Sequence, residues 1–293
     1  MISIIITAYK EEKIIEKAIL SIIENNLKES YEILVLAPDE PTLSIARTLS
    51  KKYKQIQTIV DPAQGKPTAL NMAFKKAKGD KLILTDGDVY VDKNALKELI
   101  APLEDEKIGA VSGHPVSLNS RKKILGYWSH LLTDIADERR RSAVKNKKRF
   151  FCSGYLFSMK AGIFKEIPTE TLSDDGYMSY LIQKEGYKLD YAFKAKVYVK
   201  FPTNIRDWIA QKKRSAGGYN QIKYWTKEEM RSFSKESLGA LAFFKYANSL
   251  KGLIWLFSLF LTRIYLWALI FRDINLKKKS FNKVWVRVES TKN

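Results

Sequence analysis

Lys81-Leu-Ile-Leu-Thr-Asp-Gly-Asp-Val89 runs from apolar, β-prone residues straight into two carboxylates one residue apart, Asp86 and Asp88. The run is short, nearly continuous and closed by turn residues, which is the pattern of a buried strand. Asp86-Gly87-Asp88 then falls at the strand's carboxyl end, where open α/β sheets bind ligands. Gly87 lets the backbone turn sharply and come close to a ligand. Two hard oxygen donors at that point suit Mg2+ or Mn2+ shared with phosphate oxygens. The plainer alternative is a loop with two solvated aspartates.

On either side of this stretch, strand and helix alternate. Ile2 to Thr7 is a second buried strand. Ile14, Ile15, Ala18, Ile19, Ile22 and Ile23 recur at helical spacing and predict an amphipathic helix. Tyr31 to Leu36 and Ile56 to Val60 read as strands, and Thr42 to Lys54 and Thr68 to Lys78 as helices. After Asp86 come a helix from Asn94 to Leu103 and a strand from Ile108 to Ser112. This alternation predicts an α/β domain: a mainly parallel, Rossmann-like sheet flanked by helices.

The middle of the chain is less regular. Leu125 to Val144 reads as a helix that merges into Arg139-Arg-Arg-Ser-Ala-Val-Lys-Asn-Lys-Lys-Arg149, seven basic residues with no acidic one. Such a run is either a solvated face or a contact for phosphates or anionic lipid. Phe151 to Met159 resembles a strand. Ser173 is a good N-cap for a helix through Glu185, with Gly186 as its stop. Val197 to Phe201 returns to strand, and Ile205 to Ala216 is helical.

The charge balance narrows the partners. The 293 residues carry a net charge of +19, which implies an anionic partner. From Phe201 to Asn293 there are 18 Lys+Arg against 6 Asp+Glu, and Trp208, Trp225, Trp255, Trp267 and Trp285 fall there too. Trp and Lys flanking apolar helices is the composition of a membrane interface. No zinc-finger spacing or aromatic RNA-binding string is present, so an anionic membrane surface is expected and nucleic acid is not. An apolar helix is expected from about Leu238 to Phe271, densest over Gly252 to Phe271 and long enough for roughly 30 Å of hydrocarbon. Arg263 near its middle costs about 2.5–3.5 kcal/mol on insertion scales. A helix lying in the interface, or a membrane-docked hairpin, therefore fits better than a single span; a core helix covering the sheet is the plainer reading. Cys152 is the single cysteine, so no intrachain disulfide is possible. Met1-Ile-Ser-Ile-Ile-Ile-Thr7 lacks a charged n-region and does not read as a signal peptide. His114 and His130 stand alone, at a spacing that suits no metal motif.

The motifs fall in a recognisable order. Ser3-Ile-Ile-Ile-Thr-Ala-Tyr9, with Glu11-Glu12 behind it, is followed by Gly65-Lys66-Pro67-Thr68-Ala69-Leu70-Asn71 and Thr85-Asp86-Gly87-Asp88. Phe151-Cys152-Ser153-Gly154, Ser173-Asp174-Asp175 and Gln211-Lys-Lys-Arg214-Ser215 come next. Together these resemble the family 2 glycosyltransferases of the GT-A fold, in particular the processive, membrane-associated branch of cellulose, chitin and hyaluronan synthases. The matches are to a first strand and turn, G-K-x-x-A-L-N, D-x-D, F-C-G-S with one residue missing, T-E-D, and Q-x-x-R-W with Ser for Trp. Two departures matter. Leu36-Ala37-Pro38-Asp39-Glu40 stands where many members carry D-D-x-S, so Asp39 is the one carboxylate placed to contact the nucleotide base. The missing Trp, and the lack of several transmembrane helices, argue for a transferase adding one sugar over a synthase that builds its own channel.

The resemblance implies an inverting, metal-dependent hexosyltransferase of the EC 2.4 class, at the cytoplasmic face of the cell membrane. It would move sugar from a UDP- or GDP-sugar to a lipid-linked or membrane-proximal glycan acceptor. A GT-A catalytic domain would cover 1–203, with its nucleotide-sugar half over about 1–112 and its acceptor half over about 113–203. Interfacial helices would cover 204–237, and an apolar helix with a basic tail 238–293. On the donor it places Thr7, Ala8, Tyr9, Glu11, Asp39, Lys66, Asn71, Asp86, Gly87, Asp88, Gln211 and Arg214. Asn71 would orient the sugar or brace its loop. On the acceptor it places Cys152, Ser153 and Gly154. Asp88 would hold Mn2+ or Mg2+, with Asp86 toward the ribose or the ion. Asp175 would be the general base, with Asp174 as understudy, although two acids at a helix start also complement the helix dipole without any catalysis. Cys152 is expected as a packed residue, not a nucleophile. A sugar-phosphate nucleotidyltransferase, a polyprenyl-phosphate sugar synthase and a non-catalytic basic membrane-binding protein are the competing readings.

Overall fold

In the computed structural model β1 (Ile2–Thr7) is buried at every position, as a strand covered on both faces must be. β2 (Tyr31–Ala37) and β4 (Lys81–Asp86) flank it in parallel, and β3 (Ile56–Val60) extends the sheet beyond β2. The register is level: Thr7 stands opposite both Leu36 and Asp86, so the carboxyl ends of β1, β2 and β4 form one rim. The structure describes residues 1–227, 246, 249–272 and 288–291.

Beyond β4 the sheet turns antiparallel. β7 (Leu156–Lys160) pairs with β4 and with β6 (Ile108–Ser117), and β5 (Val89–Val91) pairs with β8 (Lys188–Val199). The full order is β3-β2-β1-β4-β7-β6-β8-β5, a mixed eight-stranded sheet whose parallel part is the half that strand–helix alternation predicts. The expected strand Phe151–Met159 begins only at Leu156. Phe151 to Tyr155 lie outside the ladder, because the amides of Cys152, Ser153 and Gly154 donate to side chains instead.

Helices cover the sheet. α1 (Ile15–Ile23) buries Ile15, Ala18, Ile19 and Ile22. α2 (Glu40–Lys52) starts two residues before its expected Thr42, because Asp39 caps it by accepting from the Thr42 amide. α3 (Lys66–Lys76) also starts early: Gly65, at φ 97°, turns the chain, and Pro67 suits the first turn. α4 (Ala95–Ile100) runs into a 3-10 turn at Ala101–Glu104. α5 (Ile124–Lys145) and α6 (Asp174–Lys184) complete this part of the chain.

The chain divides into two compact units. The first holds Met1–Val116 and Ala136–Lys200, and with them almost the whole sheet. The second holds Ser117–Ile135 and the described part of Phe201–Thr291. Its core joins the first half of α5 to α7 (Ile205–Thr226) and α8 (Leu250–Phe271). Trp128 stacks edge-on against Trp208 at 5.3 Å, and its indole N–H donates to the Trp255 carbonyl at 2.7 Å. α7 runs ten residues past its expected end at Ala216: Ala216, Gly217 and Gly218 are buried, so the glycines serve close packing. The apolar start expected near Leu238, the basic tail and Trp285 lie outside the described residues.

Candidate active site

The level rim of β1, β2 and β4 gathers the first group of expected residues. Gly87 donates its amide to the Thr7 carbonyl at 2.9 Å, locking the Asp86-Gly87-Asp88 turn onto the end of β1. A side chain at Gly87 would stand 2.7 Å from the Ala8 Cβ and 2.9 Å from Ile15 Cδ1, so only glycine fits. On the other side of Ala8, the Lys10 amide donates to Asp39 Oδ2 at 2.8 Å, and the Glu11 amide to Thr42 Oγ1 at 2.9 Å. Tyr9 is 38 % exposed beside this loop. Burial pushes the Asp39 carboxyl up, but the hydrogen bonds from Thr42 and Lys10 outweigh it and hold the group below its usual range.

Lys66, at the start of α3, bridges two elements. Its ammonium lies 2.7 Å from Asp86 Oδ1 and 3.3 Å from Asp174 Oδ2 at the start of α6. Burial pushes this lysine down, yet Asp174, Asp86 and Asp175 overcome it and hold the group charged, above its ordinary value. Asp174 goes up: burial is the main cause, the Lys66 charge opposes it, and Asp175 and Asp86 add to it. Asn71, one and a half turns along α3, donates to the Ile167 carbonyl at 2.8 Å and accepts from the Ile167 amide at 2.9 Å. Of its two expected roles, these bonds serve the bracing one.

The Cys152-Ser153-Gly154 string is held amide by amide. Cys152 donates to Ser179 Oγ at 2.9 Å, Ser153 to Ser112 Oγ at 3.0 Å, and Gly154 to Asp175 Oδ2 at 2.9 Å. The other oxygen of Asp175 accepts from the Ser173 hydroxyl at 2.8 Å. Ser173 stands at the N-cap of α6 as expected, but its hydroxyl orients the Asp175 carboxylate and makes no side-chain capping bond. The geometry leaves Asp175 half-buried, gripped from two sides, with lone pairs remaining on both oxygens. Burial pushes the Cys152 thiol up to about 12, so it is a packed thiol with no thiolate character.

Gln211 and Arg214 lie on α7 in the second unit, three residues apart and therefore on one face of that helix. Residues that sequence reading missed are Asp61, Ser179 and Ser112; Ser173 reads in the sequence as a cap and not as the partner of Asp175. Asp61 directly follows β3, where Val60-Asp61-Pro62 marks the turn; burial and the nearby Asp39 charge push its carboxyl up. Ser179 lies one helical turn beyond Asp175, a spacing that identifies it once α6 is accepted.

Among the described residues no three His, Cys, Asp or Glu side chains form a complete metal cage. A divalent ion shared with a diphosphate needs only one or two protein carboxylates. The donor set fits that mode. Asp86, Asp174 and Asp175 all act on the Lys66 cation, so among these described groups negative charge exceeds positive and an anionic diphosphate entering here requires added positive charge.

Comparison with known proteins gives a consistent picture. The sequence profile described as glycosyl transferase family 2 matches residues 3–168. A beta-monoglucosyldiacylglycerol synthase from Trichormus variabilis is 23% identical over 238 residues, covering 76% of this chain and 50% of that protein. A poly-beta-1,6-N-acetyl-D-glucosamine synthase from Staphylococcus aureus is 22% identical over 232 residues, covering 75% and 55%. The chain spans about half the length of the curated relatives it matches. Among solved structures, the mannosyltransferase PcManGT from Pyrobaculum calidifontis, in complex with GDP-Man and Mn2+, aligns with a TM-score of 0.60 at 17% identity. That alignment covers 99% of this chain and 84% of that one, and it supports the GT-A-like fold.

Proposed function

The chain belongs to glycosyl transferase family 2, and we propose that it is an inverting transferase moving one sugar from a UDP- or GDP-sugar to a lipid-linked or membrane-proximal glycan acceptor. The observation that carries this reading is the reach of α6. Its first two residues address both sides of the site: Asp174 meets Lys66, itself paired with Asp86, while Asp175 holds the Gly154 amide. A donor-side charge cluster and an acceptor-side base on one helix start are what a single displacement needs.

In this reading the donor diphosphate lies over the rim at Thr7, Ala8 and Gly87, with Asp39 toward the base. Lys66 supplies fixed positive charge. A divalent ion held by Asp88 would stabilise the leaving nucleoside diphosphate; the GDP-Man and Mn2+ of the mannosyltransferase support that choice. The acceptor hydroxyl, lying against Cys152-Ser153-Gly154, gives its proton to Asp175 as its oxygen bonds the anomeric carbon and the carbon–phosphate-oxygen bond breaks. In-line attack inverts the anomeric centre. The catalytic domain is 1–203 in this reading, and α8 rests in the cytoplasmic face of the membrane.

The test is turnover of a nucleotide-sugar panel with Mn2+ or Mg2+, using wild type beside Asp88→Asn and Asp175→Asn. Release of a nucleoside diphosphate from one donor, abolished by Asp88→Asn, is expected. Asp175→Asn should lower transfer about 10²–10⁴-fold while donor binding persists. Release of pyrophosphate would assign a nucleotidyltransferase instead, and no turnover of any donor would overturn the reading.

A further inference from the structure

α5 carries two neighbouring arginines with different partners. Arg141 grips Asp137 with its Nε at 3.0 and 2.9 Å from the two carboxylate oxygens, and lies 4.0 Å over the Phe193 ring. Tyr191 donates to the same Asp137 at 2.7 Å, so that carboxylate is shared between Arg141 and Tyr191. Arg140 makes no ion pair among the described residues. Its guanidinium stands 5.8 Å from the Tyr191 ring centre, and its Nε reaches the Phe151 carbonyl at 3.5 Å, at the limit of a hydrogen bond. A guanidinium has five N–H donors in a planar fork, and among the described residues neither terminal nitrogen of Arg140 has a protein acceptor.

The position of this cation makes it informative. Phe151 adjoins Cys152-Ser153-Gly154, the string whose Gly154 amide binds Asp175. The Arg140 charge bears on the Cys152 thiol, as does the charge of Asp175, so the arginine and the candidate base lie in electrostatic range of one residue. Arg140 is half-buried, and beyond it Lys145, Lys147 and Lys148 are exposed. A hydroxyl or ester carbonyl of a neutral acceptor can take a single N–H bond from this guanidinium but leaves its charge unmatched. A phosphate oxygen pair matches its fork.

We propose that Arg140 is an acceptor-binding residue which receives a phosphate group carried by the acceptor, so that the natural acceptor is a phosphomonoester or phosphodiester. This rests on the transferase reading above and adds the acceptor's chemical class. The phosphate can sit on a lipid or on a soluble glycan; the arginine recognises the group common to both.

The test measures sugar transfer by the full chain in detergent micelles. Phosphatidylglycerol and phosphatidylinositol, which carry free hydroxyls beside the phosphate, serve as phosphate-bearing lipids, glycerol 3-phosphate as a soluble phosphate ester, and diacylglycerol as the neutral control. Arg140→Gln should raise KM for the phosphate-bearing acceptor roughly tenfold or more. Donor hydrolysis without acceptor should be unchanged. Arg140→Lys should recover most of the loss, because a point charge still attracts the phosphate. Use of the lipids or of glycerol 3-phosphate tells which source supplies the group. Transfer to diacylglycerol alone, an unchanged KM in Arg140→Gln, or donor hydrolysis with no phosphate-bearing acceptor used would each overturn the inference. Loss of donor hydrolysis in wild type would instead overturn the transferase reading itself.

Discussion

Asp39 shows how one side chain can serve the fold and the site together. It caps α2 and ties down the Lys10 amide, so the loop that follows β1 is fixed by the residue expected to face the base. Because its folded pKa is lowered from the usual carboxylate value, its stabilisation is complete above that value and disappears as pH falls through the folded one. Asp39→Ala should cost about 1 kcal/mol at neutral pH. The gap to wild type should close as the pH falls through the acid range in denaturant titrations, and a gap independent of pH would sink this account. Gly87 is the steric counterpart. Gly87→Ala drives a methyl against Ala8 and Ile15, and should destabilise by about 1–3 kcal/mol. It should also raise the donor KM, because Ala8 must move; an unchanged KM would mean that Ala8 does not border the donor.

Among the elements, α6 connects the most. The Ser179 hydroxyl accepts from the Cys152 amide and donates to the Asp175 carbonyl at 2.7 Å, so this helix and the acceptor string hold each other. Ser179→Ala leaves the buried Cys152 amide unsatisfied and should cost about 1–3 kcal/mol by thermal or denaturant unfolding. Its effect on transfer should fall on the acceptor KM more than on the donor KM; the reverse would detach α6 from the acceptor side. The elements legible in the sequence are those whose signal is local. The buried strands β1, β2 and β4 are apolar runs, and Asp86-Gly87-Asp88 and Ser173-Asp174-Asp175 stand out as motifs. What escaped depends on partners far along the chain. Phe151 to Tyr155 look like strand until Ser112, Asp175 and Ser179 take their amides. Gly217-Gly218 looks like a helix break, yet α7 continues through it because small residues are needed where it is buried. Only the end of β8 is read, from Val197; its earlier part hides behind Lys188, Lys194 and Lys196, although its inward Leu189, Tyr191, Ala195, Val197 and Val199 keep the two-residue period of a half-buried strand. The Lys66 bridge joins residues more than a hundred positions apart and has no local signature.

At the scale of the whole molecule the question is where α8 sits. Among the described residues it is the one helix long and apolar enough to cross a membrane. Its two faces differ. Gly252, Leu256, Leu259, Leu266 and Ile270 are buried within the second unit, and Arg263 falls on that same stripe, away from the exposed one. Leu253, Ile254, Phe257, Phe260, Leu261, Ile264 and Tyr265 are exposed on the other side, with Ile254 at 60 % and Phe257 at 62 %. Its neighbour α7 carries Lys212, Lys213 and Arg214, which cannot enter hydrocarbon. A helix packed along such a partner reaches lipid with one face only, and that geometry favours lying in the interface over spanning. Deleting the chain after Ser237 would be a poor test, because it would also strip Leu256 and Leu259 from the core they share with Trp128 and Trp208. Charging the outer face is cleaner. Burying each large apolar side chain contributes about 1.5–3 kcal/mol, so Phe257→Asp with Ile264→Asp should weaken binding to anionic vesicles by roughly a hundredfold or more. The paired change should leave the unfolding midpoint near wild type, since neither side chain is buried in the unit. Added salt should weaken the remaining binding further, because the basic surface then acts alone. Undiminished vesicle binding by the double variant would show that this face of α8 does not meet lipid.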